Sequence, residues 1–343
     1  MTYRIAINGL GRIGRCVLRA LYESTDYPGL RIVAVNDLAD IATLAHLIRY
    51  DSTHGRFLGE VRIDGAQLNV AGDPIAVSNQ PDPAQLPWEE LGVDLVMECS
   101  GAFNDRANAE LHLAAGAGKV LFSQPAAAAD VDATVVYGIN HQVLKPGDRI
   151  ISNASCTTNC IIPVIQCLDQ AFGVENGVIT TIHSAMNDQP VIDAYHHSDL
   201  RKTRSAMHSI IPVETEIARG IGRILPAMAD RFEAQAMRVP TLNVSAIDLA
   251  VVVRRPVTVA ELNQQIIDFS NTLLPNVLGT TDEPLASCDF NHDPRSAIVD
   301  LSFTRVSGRH LLKILTWFDN EWAYANRMLD VAHYLATSKE LNQ

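Results

Sequence analysis

"YRIAINGLGRIGRCVLRALYES", residues 3–24, decides the fold. Its first five residues are mostly apolar and read as a buried strand, and Gly9, Gly11 and Gly14 follow at once in G-x-G-x-x-G spacing. The remainder reads as a helix opened by those glycines. In that setting the first glycine permits a tight turn, the second lets the backbone approach a pyrophosphate, and the third lets helix and strand pack closely. The next apolar run, "RIVAV" (31–35), ends at Asn36-Asp37. Asp37 stands at the offset where a carboxylate receives an adenosine ribose hydroxyl. A carboxylate there repels a 2′-phosphate and no arginine follows in "LADI", so the expected cofactor is NAD and not NADP.

Outward from this motif the first half alternates apolar runs with helix-like segments. "VDLVMEC" (93–99), "KVLFS" (119–123), "ATVVYG" (133–138) and "RIIS" (149–152) complete the order of a parallel, doubly wound α/β sheet. After residue 152 the runs lengthen and become β-branched: "GVITTIHS" (177–184), "FEAQAMRV" (232–239), "SAIDLAVVVRR" (245–255), "SAIVDLSFTRV" (296–306) and "RHLLKILTWF" (309–318). The last two flank Ser307-Gly308, which reads as a two-residue turn of an antiparallel hairpin. The expected organisation is a Rossmann-type NAD-binding domain over 1–152, an α+β catalytic domain with a mainly antiparallel sheet over 153–318, and a C-terminal amphipathic helix within 319–343. Between Ser184 and Met207 lies a polar stretch without strand or helix period, of a length that is often functional.

The 343 residues carry a formal net charge of −12, which argues against a nucleic-acid partner, since such binding needs clustered cations. The N-terminus shows no secretory pattern and no apolar run reaches membrane-spanning length, so a cytoplasmic protein without a membrane partner is expected. Its six cysteines are scattered and none forms a C-x-x-C pair, so neither a metal site nor a disulfide framework is expected.

The chemistry is expected at "SNASCTTNC" (152–160). Ser155 suits an N-cap, which puts Cys156 in the first turn of the following helix, where free backbone N–H groups and the helix dipole favour a thiolate. Cys160, one turn on, reads as a small core residue. His183, at the end of the strand "GVITTIH", is the candidate base. Together with a dinucleotide site, a thiol and a histidine imply aldehyde oxidation: the sulfur adds to an aldehyde, the histidine takes the hydroxyl proton, hydride leaves for the nicotinamide, and a thioester remains for a second nucleophile to release.

The blocks "INGLGRIGR", "VNDLAD", "YDSTHGRF", "SNASCTTNC", "TTIH", "RVPTLNVSAIDL" and "WFDNEWAYANRM" span the chain and resemble the glyceraldehyde-3-phosphate dehydrogenase superfamily. The resemblance implies a homotetramer acting on a small phosphorylated aldehyde, with the final helix packing back on the NAD-binding domain. It implies Cys156 as nucleophile and His183 as base, and Arg12 and Ile13 beside the pyrophosphate. Asp37 is the implied ribose acid and Asn320 the side chain that holds the nicotinamide amide. Ser155, Thr157, Thr215 and Arg238 fall on phosphate-contacting positions. At three places the sequence departs from the phosphorylating enzymes: Met186 stands for a threonine, Glu216 for a glycine in the turn Glu214-Thr215-Glu216, and Lys202 for an arginine. The blocks "TTIHSAMNDQPVIDAYHHSDLRKTRS", "SIIPVET" and "DFNHDPRSAIVD" are similar to the D-erythrose-4-phosphate dehydrogenase branch, which implies release of the thioester by water and a place in bacterial vitamin B6 (pyridoxal phosphate) synthesis. A phosphorylating glyceraldehyde-3-phosphate dehydrogenase and a catalytically silent NAD-binding scaffold stand as alternatives.

Overall fold

The computed structural model describes residues 2–196, 199–339 and 341. His197 and Ser198 of the polar stretch lie outside them, as do Met1, Glu340, Asn342 and Gln343 at the ends of the expected domains. The chain forms two units, Met1–Ser155 with Tyr324–Gln343, and Cys156–Ala323.

The first unit runs β1 (Tyr3–Asn8), α1 (Arg12–Glu23), β2 (Leu30–Asn36), α2 (Ile41–Arg49), a short ribbon of β3 (Tyr50–Asp51) and β4 (Gly55–Arg56), then β5 (Val61–Asp64), β6 (Gln67–Val70) and β7 (Asp73–Ser78). It continues through β8 (Leu95–Glu98), α3 (Arg106–Ala114), β9 (Lys119–Phe122), β10 (Ala133–Thr134) and β11 (Ile150–Ser152). The nine-stranded sheet has the order β10-β11-β9-β8-β1-β2-β7-β6-β5, parallel from β10 to β7 and antiparallel beyond. Ile5, Ile7, Ile32 and Val96 are fully buried, which is why these strands read as continuous apolar runs. Strand β1 has β2 on one side and β8 on the other, so the order reverses there. The carboxyl ends Asn8, Asn36 and Glu98 fall in register across that reversal, the place where open α/β sheets bind ligands.

The second unit runs α4 (Cys156–Phe172), β12 (Val174–His183), β13 (Ile211–Val213), α5 (Ile217–Ile224), β14 (Phe232–Arg238), β15 (Ser245–Val253), α6 (Val259–Ser270), β16 (Leu278–Thr281), β17 (Ala297–Asp300), β18 (Arg305–Ser307) and β19 (Leu311–Phe318). The last helix, α7 (Trp322–Thr337), begins at its end. The sheet order is β13-β14-β12-β15-β19-β17-β16, with β18 also on β19. Five of its pairings are antiparallel, and β12–β14 and β16–β17 are parallel. Helix α4 buries Ile161, Ile162, Ile165 and Leu168 and packs against β12, β15, β17 and β19, which fixes its N-terminal turn relative to the end of β12.

Three strand readings need correction. "ATVVYG" forms a strand only at Ala133–Thr134. The run 296–306 is broken after β17, because the buried Asp300 carboxylate accepts Ser302 N–H (3.1 Å) and Oγ–H (2.6 Å) and draws residues 301–303 into a 3-10 turn. The β18–β19 hairpin pairs Ser307 with Leu311, so its turn has three residues, with Gly308 (φ +58°) and Arg309 (φ +66°) both left-handed. The antiparallel strands β5 to β7 were missed, although Asp64-Gly65 carries a hairpin signal and β5 and β6 turn there. No described helix is long and apolar enough to cross a membrane.

Candidate active site

In the first unit the three glycines answer to three different constraints. Gly9 has φ +91°, and a Cβ on it would stand 2.4 Å from the Ser100 backbone. A Cβ on Gly14 would stand 2.1 Å from the Gly9 carbonyl oxygen. On Gly11, by contrast, a Cβ meets nothing within 4 Å, so this backbone faces open space. Gly11 is also the N-cap of α1 and has no side chain to cap it, which leaves the helix start free for an anion. The adjoining cleft, about 310 Å³, is lined by Gly9, Gly11, Asn36, Asp37, Gln80 and Ser100 among others. Tight packing at Gly9 and Gly14 with open space at Gly11 is the shape a pyrophosphate requires.

Asp37 is fixed at the cleft. Its carboxylate accepts Leu10 N–H (2.7 Å) and Ala39 N–H (2.9 Å), so one oxygen also pins the glycine turn. Asp37→Ala removes a charged acceptor and this pin together, and is expected to weaken NAD binding about tenfold or more while relaxing the rejection of NADP. Titration with both dinucleotides checks it, and an unchanged NAD affinity removes the assignment of Asp37.

Ile13 lies in the first turn of α1 next to Arg12, whose guanidinium is drawn onto Asp51 (Nη2 to Oδ1 3.1 Å). Asp51 was not singled out from the sequence. Burial raises its carboxyl, but Arg12 and the N–H groups of His54 and Thr53 outweigh that and hold it well below the ordinary range.

In the second unit Cys156 opens α4 and His183 closes β12, and Sγ lies 3.7 Å from Nε2. Nδ1 of His183 is 2.8 Å from the Ser184 carbonyl oxygen, which can only accept, so the ring proton is on Nδ1 and the Nε2 lone pair faces the sulfur. The N–H groups at the helix start lower the Cys156 thiol as expected, but burial outweighs them. Burial pushes the thiol up to about 12; the N–H groups of Thr157 and Cys156 pull it down by less, and Asp319 and Glu321 add to the rise. Burial also lowers His183 below its ordinary 6.5, more strongly than the Ser184 carbonyl raises it. Burial thus disfavours the charged form of both members of the pair. Cys160 is fully buried, as its position one turn along implies.

Asn320 Oδ1 accepts the hydroxyls of Ser184 (3.0 Å) and Ser245 (2.9 Å), which fixes the amide and turns Nδ2 away as a donor. A rotationally locked amide donor suits a carboxamide ligand. The two hydroxyls that lock it were not read from the sequence.

Among the residues matched to phosphate positions, Arg238 sits beside His183 in the β12–β14 register. Its Nη1 donates to Asp188 (2.6 Å), and Lys202 Nζ donates to the other oxygen of the same carboxylate (3.0 Å). Burial raises Asp188, but the two cations outweigh it and lower its carboxyl. Asp188 therefore draws together two cations that are 36 positions apart in sequence. Thr157 lies in the first turn of α4, Ser155 directly precedes it, and Thr215 Oγ1 accepts Ile217 N–H (3.4 Å). Glu216 is not aimed at an anion: its carboxylate is 69% exposed and pairs with Arg219 (2.8 Å) one turn along α5. Met186 is half-exposed and its thioether has no proton to donate.

Residues 3–106 match the family model described as the NAD binding domain of glyceraldehyde 3-phosphate dehydrogenase. Residues 155–320 match the one described as the C-terminal domain of the same enzyme.

Proposed function

The chain belongs to the glyceraldehyde-3-phosphate dehydrogenase family, with its NAD-binding domain, and from that premise we propose that it oxidises D-erythrose 4-phosphate to 4-phosphoerythronate, with water releasing the acyl group. The observation that carries the chemistry is the Cys156 Sγ to His183 Nε2 contact at 3.7 Å, with the lone pair directed at the thiol.

As the sulfur adds to the aldehyde carbon, its proton passes to Nε2, and the imidazolium returns it to the new alkoxide. This gives a thiohemiacetal and a neutral base again. NAD, when bound, supplies the two-electron acceptor that turns the thiohemiacetal into a thioester. His183 takes the hydroxyl proton in that step, since its Nε2 is once more an acceptor. The imidazolium gives that proton up to solvent, and a water deprotonated at the freed nitrogen then attacks the thioester carbon, the sulfur leaving with the proton that Nε2 has just taken.

Met186 supports water as the acyl acceptor. Where the phosphorylating enzymes place a hydroxyl, this chain offers no donor to an inorganic phosphate oxygen. The exposed Glu216–Arg219 pair supports retention of a phosphorylated substrate, because the carboxylate that replaces glycine does not oppose an anion. Arg238 and Lys202 keep the positive charge that a substrate phosphate needs.

The test measures NADH formation with erythrose 4-phosphate and with glyceraldehyde 3-phosphate, each with and without inorganic phosphate. Preference for the tetrose and indifference to phosphate are expected. Strong preference for the triose together with a phosphate requirement favours the phosphorylating reaction instead.

A further inference from the structure

Behind the cofactor cleft, β8 ends in a carboxylate with no access to solvent: Glu98 is 1% exposed and takes donors from three directions. Its Oε1 accepts Ser100 N–H (2.7 Å) and Oγ–H (2.5 Å). Its Oε2 accepts Asn8 Nδ2 (2.5 Å) and faces His112 Nε2 (3.1 Å). The far side of His112 is settled by Trp88, whose indole N–H lies 3.0 Å from Nδ1 and can only donate. The ring proton is therefore on Nε2, and it points at Glu98. Four donors converge on two oxygens, which calls for an acceptor-only group, a carboxylate.

From Glu98 the bonds lead outward into the cleft wall. Asn8 Oδ1 accepts Asn36 Nδ2 (2.7 Å), and Asn36 exchanges bonds with the Gln80 backbone in both directions (2.9 Å each). Ser100, held twice by Glu98, is the residue on which Gly9 turns, with no room for a Cβ between them. Asn8, Asn36, Gln80 and Ser100 line the cleft, while Glu98, His112 and Trp88 stand behind them.

We propose that Glu98 is a positioning residue for the dinucleotide. Its buried carboxylate locks the ends of β1, β2 and β8 in one register, so that the glycine turn and Asp37 meet the cofactor together without Glu98 touching it. A buried charge is costly, and one satisfied by four donors tolerates few rearrangements of the groups around it. His112, neutral and aligned by Trp88, is the strut that keeps the carboxylate from turning.

The test is Glu98→Gln, an isostere whose amide must present its own N–H groups to one of the existing donors. Direct fluorescence titration with NADH is expected to show affinity weakened about tenfold or more. KM for NAD is expected to rise with it, while kcat at saturating NAD and the rate of Cys156 alkylation without cofactor change by less than about threefold. A lowered melting temperature with NADH affinity within about twofold of the parent overturns the proposal, since that is the signature of stability alone. If Glu98→Gln does not fold, His112→Gln is measured in the same way. His112 does not line the cleft, so weakened NADH binding there supports the relay and unchanged binding rejects it.

Discussion

Cys156→Ser is expected to lower NADH formation by on the order of 10⁴-fold or more while leaving NAD binding intact. The effect is large because the neighbouring thiol of the same helix cannot take the sulfur's place. Cys160 is one turn behind it and fully buried, and burial raises its thiol well above the ordinary value. A serine hydroxyl at 156 is a much weaker acid than the thiol, and the environment that pushes the thiol up to about 12 opposes an alkoxide as well. NAD binding is spared because Gly9 and Gly11 between β1 and α1, Gly14 in α1, and Asp37 just after β2 lie in the other unit. Cys160→Ala is the matched control, with turnover retained at a modest cost in stability from the lost buried sulfur. A serine variant that keeps more than about one per cent of the parent rate removes Cys156 as the nucleophile and returns the chain to the reading of an NAD-binding scaffold.

What the sequence disclosed follows the range over which each constraint acts. Gly9, Gly11 and Gly14 were legible because their reasons are local: a left-handed φ, a helix start, and a close approach to the preceding strand. Cys156 and His183 were legible as a helix start and a strand end, each a local signal. That they lie 3.7 Å apart depends on α4 packing across β12, which no local pattern states. The opposing effect of burial on the thiol was not legible for the same reason. The N–H groups at the helix start do favour the anion, but the surroundings that outweigh them come from distant segments. Asp51 and Asp188 were passed over because an aspartate in a polar stretch resembles any solvated loop residue until its partner, 39 or 50 positions away, is placed beside it. Glu98 read as the end of an apolar strand, and nothing short of the fold brings Asn8 and His112 to it. The run 296–306 failed differently: its β-branched composition is that of a strand, and a single buried carboxylate, Asp300, overrides it.

His183→Asn should cost about 10²- to 10⁴-fold in kcat/KM, and its pH profile should change shape as well as height. Burial raises the Cys156 thiol, so in the proposed mechanism Nε2 receives its proton as the sulfur attacks. The reaction therefore requires the imidazole neutral. Because burial lowers its pKa, the base stays neutral to a lower pH than an exposed histidine, and the acid limb of kcat/KM should fall below 6.5. Asparagine keeps a polar side chain at the end of β12 but has no basic nitrogen. The variant must wait for the thiol to ionise by itself, so its rate should lose the acid limb and climb with pH roughly tenfold per unit toward about 12. The two profiles, taken under identical saturating NAD, discriminate the roles directly. If the variant is merely slower and keeps an acid limb at the same pH, the titrating base is another group. If instead the profile becomes a single ascending line, the proton that leaves Cys156 goes to His183.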